Sequence, residues 1–171
     1  KQLFPNAKID VVEIEPRLFE LSKKYLHLYD TSNLTNYIQD GRAFLADSQK
    51  EYDIIFIDVY SSFISIPSHM TTVEFFSLVK RHLRNDGMLL ANVIGSLDPS
   101  NNRFFIAKTK TFSSVFPNTK IFALSSPQSL KPQNFVFMAT KKGENNYVEF
   151  ASKQTGSYFL KTVSSYELDN N

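Results

Sequence analysis

The run Tyr52-Asp53-Ile54-Ile55-Phe56-Ile57-Asp58 decides the fold. Its four consecutive apolar residues, without polar alternation, suit a strand covered on both faces, as in a parallel sheet. Asp58 stops the run with a carboxylate held at the strand end by rigid backbone. Working upstream, Ile9 to Ile14 is a second strand rich in Val and Ile, closed by Glu15-Pro16. Pro16 is tolerated in a first helical turn, and Leu18, Leu21, Tyr25 and Leu28 then recur three or four apart, which predicts an amphipathic helix over Arg17 to Leu28. Leu34 to Ile38 reads as a short strand ending at Asp40-Gly41, with a short helix from Arg42 to Ser48.

Downstream, a loop from Val59 to Met70 leads to Thr71-Thr72-Val73-Glu74, where a Thr cap and an acid in the first turn start a helix that runs to Arg84. Asn85-Asp86-Gly87 is a turn, and Met88 to Ile94 is an apolar strand ending at Gly95. Asn101 to Phe116 reads as helix, weakened by Thr109, Thr111 and Ser113, and Pro117-Asn118 ends it. Lys120 to Leu124 and Phe135 to Thr140 are two last strands that pair as a hairpin. Beyond Gly143 the chain is polar, with Tyr147, Phe150, Phe159 and Leu160 as apolar anchors of a short helix or frayed tail.

Strands and helices thus alternate, which predicts an α/β domain over residues 1–142 built on a mostly parallel sheet with a C-terminal antiparallel hairpin, and a polar tail over 143–171. Composition agrees with one well-buried domain: 171 residues, 42% hydrophobic, with 16 Phe and neither Cys nor Trp. Disordered tails, collagen-like repeats and disulfide-stapled modules need compositions this chain lacks. Lys+Arg 19 against Asp+Glu 17 leaves a formal charge of +2, scattered in pairs such as Lys23-Lys24, so no nucleic-acid partner is expected. No apolar run approaches the roughly 18 residues of a membrane span. The absence of Cys is compatible with a reducing cytosol, and a cytoplasmic location is the expectation.

In such sheets ligands sit beyond the carboxyl ends of the strands, which draws attention to Glu13, Glu15, Asp40, Gly41, Asp58 and Gly95. A carboxylate there offers two oxygens to the two hydroxyls of a ribose, so Glu13 and Glu15 are candidates; either acid also suits a partner for Arg17 or a helix cap. Asp40 is placed to read an adenine amino group, with Gly41 letting the backbone approach the ring, or simply to cap the next helix. Asp58 is the sharpest position, able to align or deprotonate an attacking amine; its bland alternative is a solvated acid.

Three segments, Val11-Val12-Glu13-Ile14-Glu15, Gln39-Asp40-Gly41-Arg42-Ala43-Phe44 and Tyr52 to Asp58, resemble in order and spacing the spermidine synthase (polyamine aminopropyltransferase) family. The loop Ile66-Pro67-Ser68-His69-Met70-Thr71-Thr72 with Glu74-Phe75 is similar to the spermidine synthase-like branch, and the resemblance covers about residues 1–142. It implies a Rossmann-like class I methyltransferase fold and a site for an S-adenosyl nucleotide. Glu13 would bind the ribose hydroxyls, assisted by Glu15; Asp40 with Gly41 would read adenine; Asp58 would be the catalytic acid beside the amine; and Tyr60, Ser61 and His69 would face the amine substrate. The implied reaction moves an aminopropyl group from decarboxylated S-adenosylmethionine to a polyamine acceptor, with no metal. The partners implied are nucleoside and amine substrates, and a homodimer by family analogy.

Two departures stand out. The family carries a second acid three residues after the catalytic Asp to grip a diamine, and here that position is Ser61. Truncating one partner of such a buried charge pair costs about 2 to 5 kcal/mol. The family's Gly-rich loop and its first strand are also expected upstream of Lys1, since Gly41, Gly87, Gly95, Gly143 and Gly156 have no nucleotide-loop spacing. In the family that strand pairs with the strands here at Ile9 to Ile14 and Ile54 to Asp58, so two apolar edges are expected to be open. Two other functional classes therefore stand beside aminopropyl transfer: a methyltransferase using intact S-adenosylmethionine, and a noncatalytic binding or scaffold domain. A triad of Asp58, Ser61 or Ser62 and His69 lacks the Gly-x-Ser-x-Gly elbow of a hydrolase. His27 and His82 are read as structural, and Phe75-Phe76, Phe104-Phe105, Phe135 and Phe137 as core.

Overall fold

The computed structural model describes residues 6–28, 32–60 and 66–142. They divide at Gln49 and Lys50 into two compact units. Ser61, Ser62 and the tail expected beyond Gly143 lie outside the described residues.

The first unit runs β1 (Ile9–Glu13), α1 (Arg17–Tyr25), β2 (Leu34–Ile38) and α2 (Gly41–Asp47). β1 and β2 pair in parallel, from Ile9 opposite Leu34 to Glu13 opposite Ile38, which needs the crossover that α1 supplies. α1 stops short of the Leu28 that the apolar spacing suggests. The chain turns left-handed at His27, φ 55°, and the Leu28 N–H reaches back to the Ser22 carbonyl at 3.1 Å, a cap in which glycine is the usual residue. Leu18, Leu21 and Tyr25, the stripe that made the helix amphipathic, stay exposed. α2 opens under its cap, Asp40, and buries Phe44 and Leu45, with the Phe44 ring 4.7 Å from that of Tyr37.

The second unit runs β3 (Tyr52–Ile57), a 3₁₀ turn (Ser68–Met70), α3 (Val73–His82), β4 (Leu83–Gly95), α4 (Arg103–Val115), β5 (Lys120–Ala123) and β6 (Gln133–Thr140). Its sheet has the order β3-β4-β6-β5. β3 and β4 are parallel, whereas β6 runs antiparallel to both β4 and β5. The sheet is therefore mixed rather than mostly parallel. The reason is the hairpin, which does not add at the end of a parallel array but lays β6 along β4 from Met88–Thr140 to Gly95–Gln133. Thr72 caps α3 as its sequence suggests, accepting the Phe75 N–H at 3.2 Å.

One face of this sheet carries the core. Leu89, Ala91, Val93, Phe135 and Phe137 are buried there with Phe76, Phe105 and Phe112 from the helices. The Phe112 ring lies 5.0 Å from Phe76 and 5.3 Å from Phe137, both edge-on, the arrangement the ring quadrupole favours. Phe104 does not join them: it is 81% exposed, because the turn of α4 that buries Phe105 points its neighbour outward. Two covered faces are likewise not seen for β3. Ile57 is buried, but Phe56 on the opposite face is 60% exposed among the described residues.

The Asn85-Asp86-Gly87 turn is carried inside β4 as a bulge. Tyr52 pairs with Leu83 and Ile54 with Met88, two steps on β3 against five on β4, so the extra residues bow out. Gly87 is required there, since a Cβ would fall 2.9 Å from the carbonyl oxygens of Arg84 and Tyr52. Buried His82 is structural, as expected. Its Nδ1 lies 2.7 Å from the Lys50 carbonyl, an atom that can only accept, so that nitrogen carries the proton.

Candidate active site

In the first unit Glu13 and Asp40 stand at the carboxyl ends of adjacent strands, joined by the Gln39 N–H donating to the Glu13 carbonyl at 3.1 Å. Glu13 Oε1 accepts the Glu15 N–H at 2.9 Å. Glu15 itself turns to Arg17: the guanidinium donates to both carboxylate oxygens at 2.8 and 3.0 Å, and the Arg17 N–H adds a third bond at 3.2 Å. Those hydrogen bonds hold the Glu15 carboxyl down to about 2. Of the two acids, Glu15 has the Arg17 partner that its spacing allowed, and Glu13 is the one at the strand end. Asp40 Oδ1 accepts the N–H groups of Arg42 and Ala43 at 2.9 and 3.0 Å, so this carboxylate caps α2, and Gly41 is the first residue of that helix.

In the second unit Asp58 directly follows β3, exposed, and Asn92 Nδ2 on β4 donates to its Oδ1 at 3.0 Å. Tyr60 is half-buried. Its hydroxyl donates to the Asn92 carbonyl and accepts the Ile94 N–H, both at 3.0 Å. Burial, and with it the nearby Asp58 charge, pushes the phenol above the usual tyrosine range, against the Ile94 bond. His69 sits exposed in the 3₁₀ turn. Beneath, a cavity of about 20 Å³, lined by Ile57, Met70, Phe76, Lys108, Phe112 and Phe137 among others, has room for about one water molecule. Burial lowers the Lys108 ammonium below its ordinary range.

Sequence alone does not single out Asn92. Its one signal is a polar residue inside the apolar run Met88-Leu89-Leu90-Ala91-Asn92-Val93-Ile94, where a hydrogen-bonding duty is the usual reason for its presence. Among the described residues, no helix is long and apolar enough to cross a membrane.

The fold is a Rossmann-like α/β fold of the methyltransferase type. Human methyltransferase-like protein 13, solved in complex with SAH, superposes with a TM-score of 0.70 at 20% identity over 96% of this chain and 72% of that one. A probable spermidine synthase from Corynebacterium glutamicum ATCC 13032 gives 0.70 at 20% identity over 99% of this chain and 66% of that one. The chain belongs to the spermine/spermidine synthase domain family, which matches residues 3–151. A probable polyamine aminopropyl transferase of Bifidobacterium longum is 31% identical over 90% of this chain and 33% of its own length. An N-terminal histidine N-methyltransferase of Emericella nidulans is 30% identical over 77% of this chain and 24% of its own length. This chain thus spans about a third or less of these two relatives.

Proposed function

We propose that this chain supplies the catalytic carboxylate and part of the donor-nucleotide site of an aminopropyltransferase that acts on decarboxylated S-adenosylmethionine and a polyamine acceptor. The observation that carries the reading is Asp58, displayed at the carboxyl end of β3 with one oxygen held by Asn92, in a chain of the spermine/spermidine synthase family. Glu13 is assigned to the ribose hydroxyls of the donor. Asp40 and Gly41 are assigned to its base, with Asp40 Oδ1 engaged by α2. Glu15 acts by fixing Arg17 and the turn after β1. Ser61 and His69 are assigned to the acceptor. The single donor of the Tyr60 hydroxyl is engaged by β4, so a substrate contact from Tyr60 falls to its ring.

In the reaction a neutral primary amine attacks the carbon bonded to the sulfonium. The C–N bond forms, the C–S bond breaks with its electron pair going to sulfur, and a thioether nucleoside leaves. The proton shed by the new ammonium passes to Asp58 Oδ2 or to water. Catalysis then rests on holding the amine neutral and in line, with modest general-base help.

Methyl transfer from intact S-adenosylmethionine is the second reading, favoured by the likeness to the Emericella nidulans N-methyltransferase and by Ser61 in place of an acid. Calorimetry on the full-length protein separates the two. Tighter binding of decarboxylated S-adenosylmethionine, with aminopropyl transfer seen by mass spectrometry, supports the first. Tighter binding of the carboxylated donor supports the second. Binding of neither points to a scaffold domain.

A further inference from the structure

β3 stops at Ile57, opposite Ala91, while β4 continues to Gly95. In a parallel ladder a residue donates its N–H to the carbonyl just before its partner and accepts the N–H just after it. Opposite Val93 those groups are the Asn92 carbonyl and the Ile94 N–H, and the Tyr60 hydroxyl takes both, at 3.0 Å each. A phenol thus stands in for the next strand residue and ties the segment that follows Asp58 to β4. From the same stretch of β4 the Asn92 side chain reaches Asp58, Nδ2 to Oδ1 at 3.0 Å. Asn92 Oδ1 is left buried with no hydrogen-bond partner among the described residues. Turning the amide over would set that oxygen against a carboxylate oxygen, acceptor against acceptor, so the bond to Asp58 fixes the amide orientation. A buried carbonyl left unpaired is rare in a folded protein and calls for a reason.

We infer that Asn92 and Tyr60 are positioning residues for Asp58: Tyr60 fastens the segment after β3, and Asn92 holds Oδ1 so that the carboxylate stands in one rotamer with Oδ2 toward the acceptor. The inference rests on the role proposed for Asp58. It adds that a neutral amide on the neighbouring strand, rather than a second charge, does the aiming.

Two measurements on the full-length protein test it. In NMR, the Asn92 side-chain amide protons should move on Asp58→Ala, which removes an exposed side chain. In kinetics with decarboxylated S-adenosylmethionine and putrescine, Asn92→Leu and Tyr60→Phe should each lower kcat about 10-fold or more while the donor KM stays within about 2-fold. An Asn92 amide signal indifferent to Asp58→Ala overturns the inference, as does wild-type kcat in Asn92→Leu. Amide coupling in a wild-type protein that transfers nothing to putrescine or other amines supports the positioning geometry and refutes the proposed reaction.

Discussion

Replacing Gly95 with alanine tests how tightly α4 is seated on the carboxyl end of β4. An ideal Cβ at this position would lie 2.3 Å from Phe105 Cδ2, 2.9 Å from Cγ and 3.0 Å from its Cβ. Carbon atoms rest at about 3.5 Å or more, so the ring must retreat by about 1.2 Å. It has little room: Phe105 is 7% exposed and its centroid lies 4.3 Å from that of Phe135 and 5.8 Å from that of Phe137, both fully buried. Overpacking of this kind costs about 1–3 kcal/mol, which lowers Tm by about 2–12 °C in a chain of this size. Urea unfolding and thermal melts of Gly95→Ala, Phe105→Leu and the double variant provide the assay. In the double variant the new methyl group occupies space the ring has left. The pair should therefore be less destabilised than the sum of the singles by about 1 kcal/mol. Wild-type stability in Gly95→Ala, to within about 0.5 kcal/mol, would refute the reasoning, and so would strict additivity.

Asp58→Asn in the full-length protein should lower turnover at least about 100-fold while donor affinity stays within a few fold; equal losses in both would make Asp58 a binding residue. Arg17→Met should return the Glu15 carboxyl from about 2 toward 4.5, read by NMR titration. Because the folded-state value is the depressed one, the stabilisation Glu15 gives is present above pH 4.5 and fades as pH falls through about 2. Lys108→Met should stabilise the chain by about 0.5–1 kcal/mol in urea unfolding, since it removes a half-buried ammonium from an apolar lining that holds no acid among the described residues. A loss of stability would mean that the ammonium has an acceptor.

Much of this architecture was legible because burial writes itself into periodicity. Each strand and helix of the two units answers to a run in the sequence, with ends displaced by a few residues where backbone groups found other partners, as at His27 beyond α1. What was not legible depended on contacts between distant segments. Nothing local says that β6 lies between β4 and β5, or that Asn85-Asp86-Gly87 would bow out of a strand instead of separating a helix from one. Among the candidate acids, residue type and position gave Asp58 its place, but Glu15 went to Arg17 because that guanidinium is two residues away and geometrically apt. Asn92 was hidden for the opposite reason: its partner is 34 residues earlier.

The exposed flank of β3 carries a further consequence. Among the described residues β3 is the end strand of its sheet, and Ile54 and Phe56 are 39% and 60% exposed. An apolar rim with unsatisfied backbone groups is a template on which foreign strands align, and aggregation begins at such rims. Here the rim and the catalytic candidate share one backbone, with Phe56 only two residues before Asp58. A strand that zips along β3 would cover this rim and brace the Asp58 carboxylate in the same event.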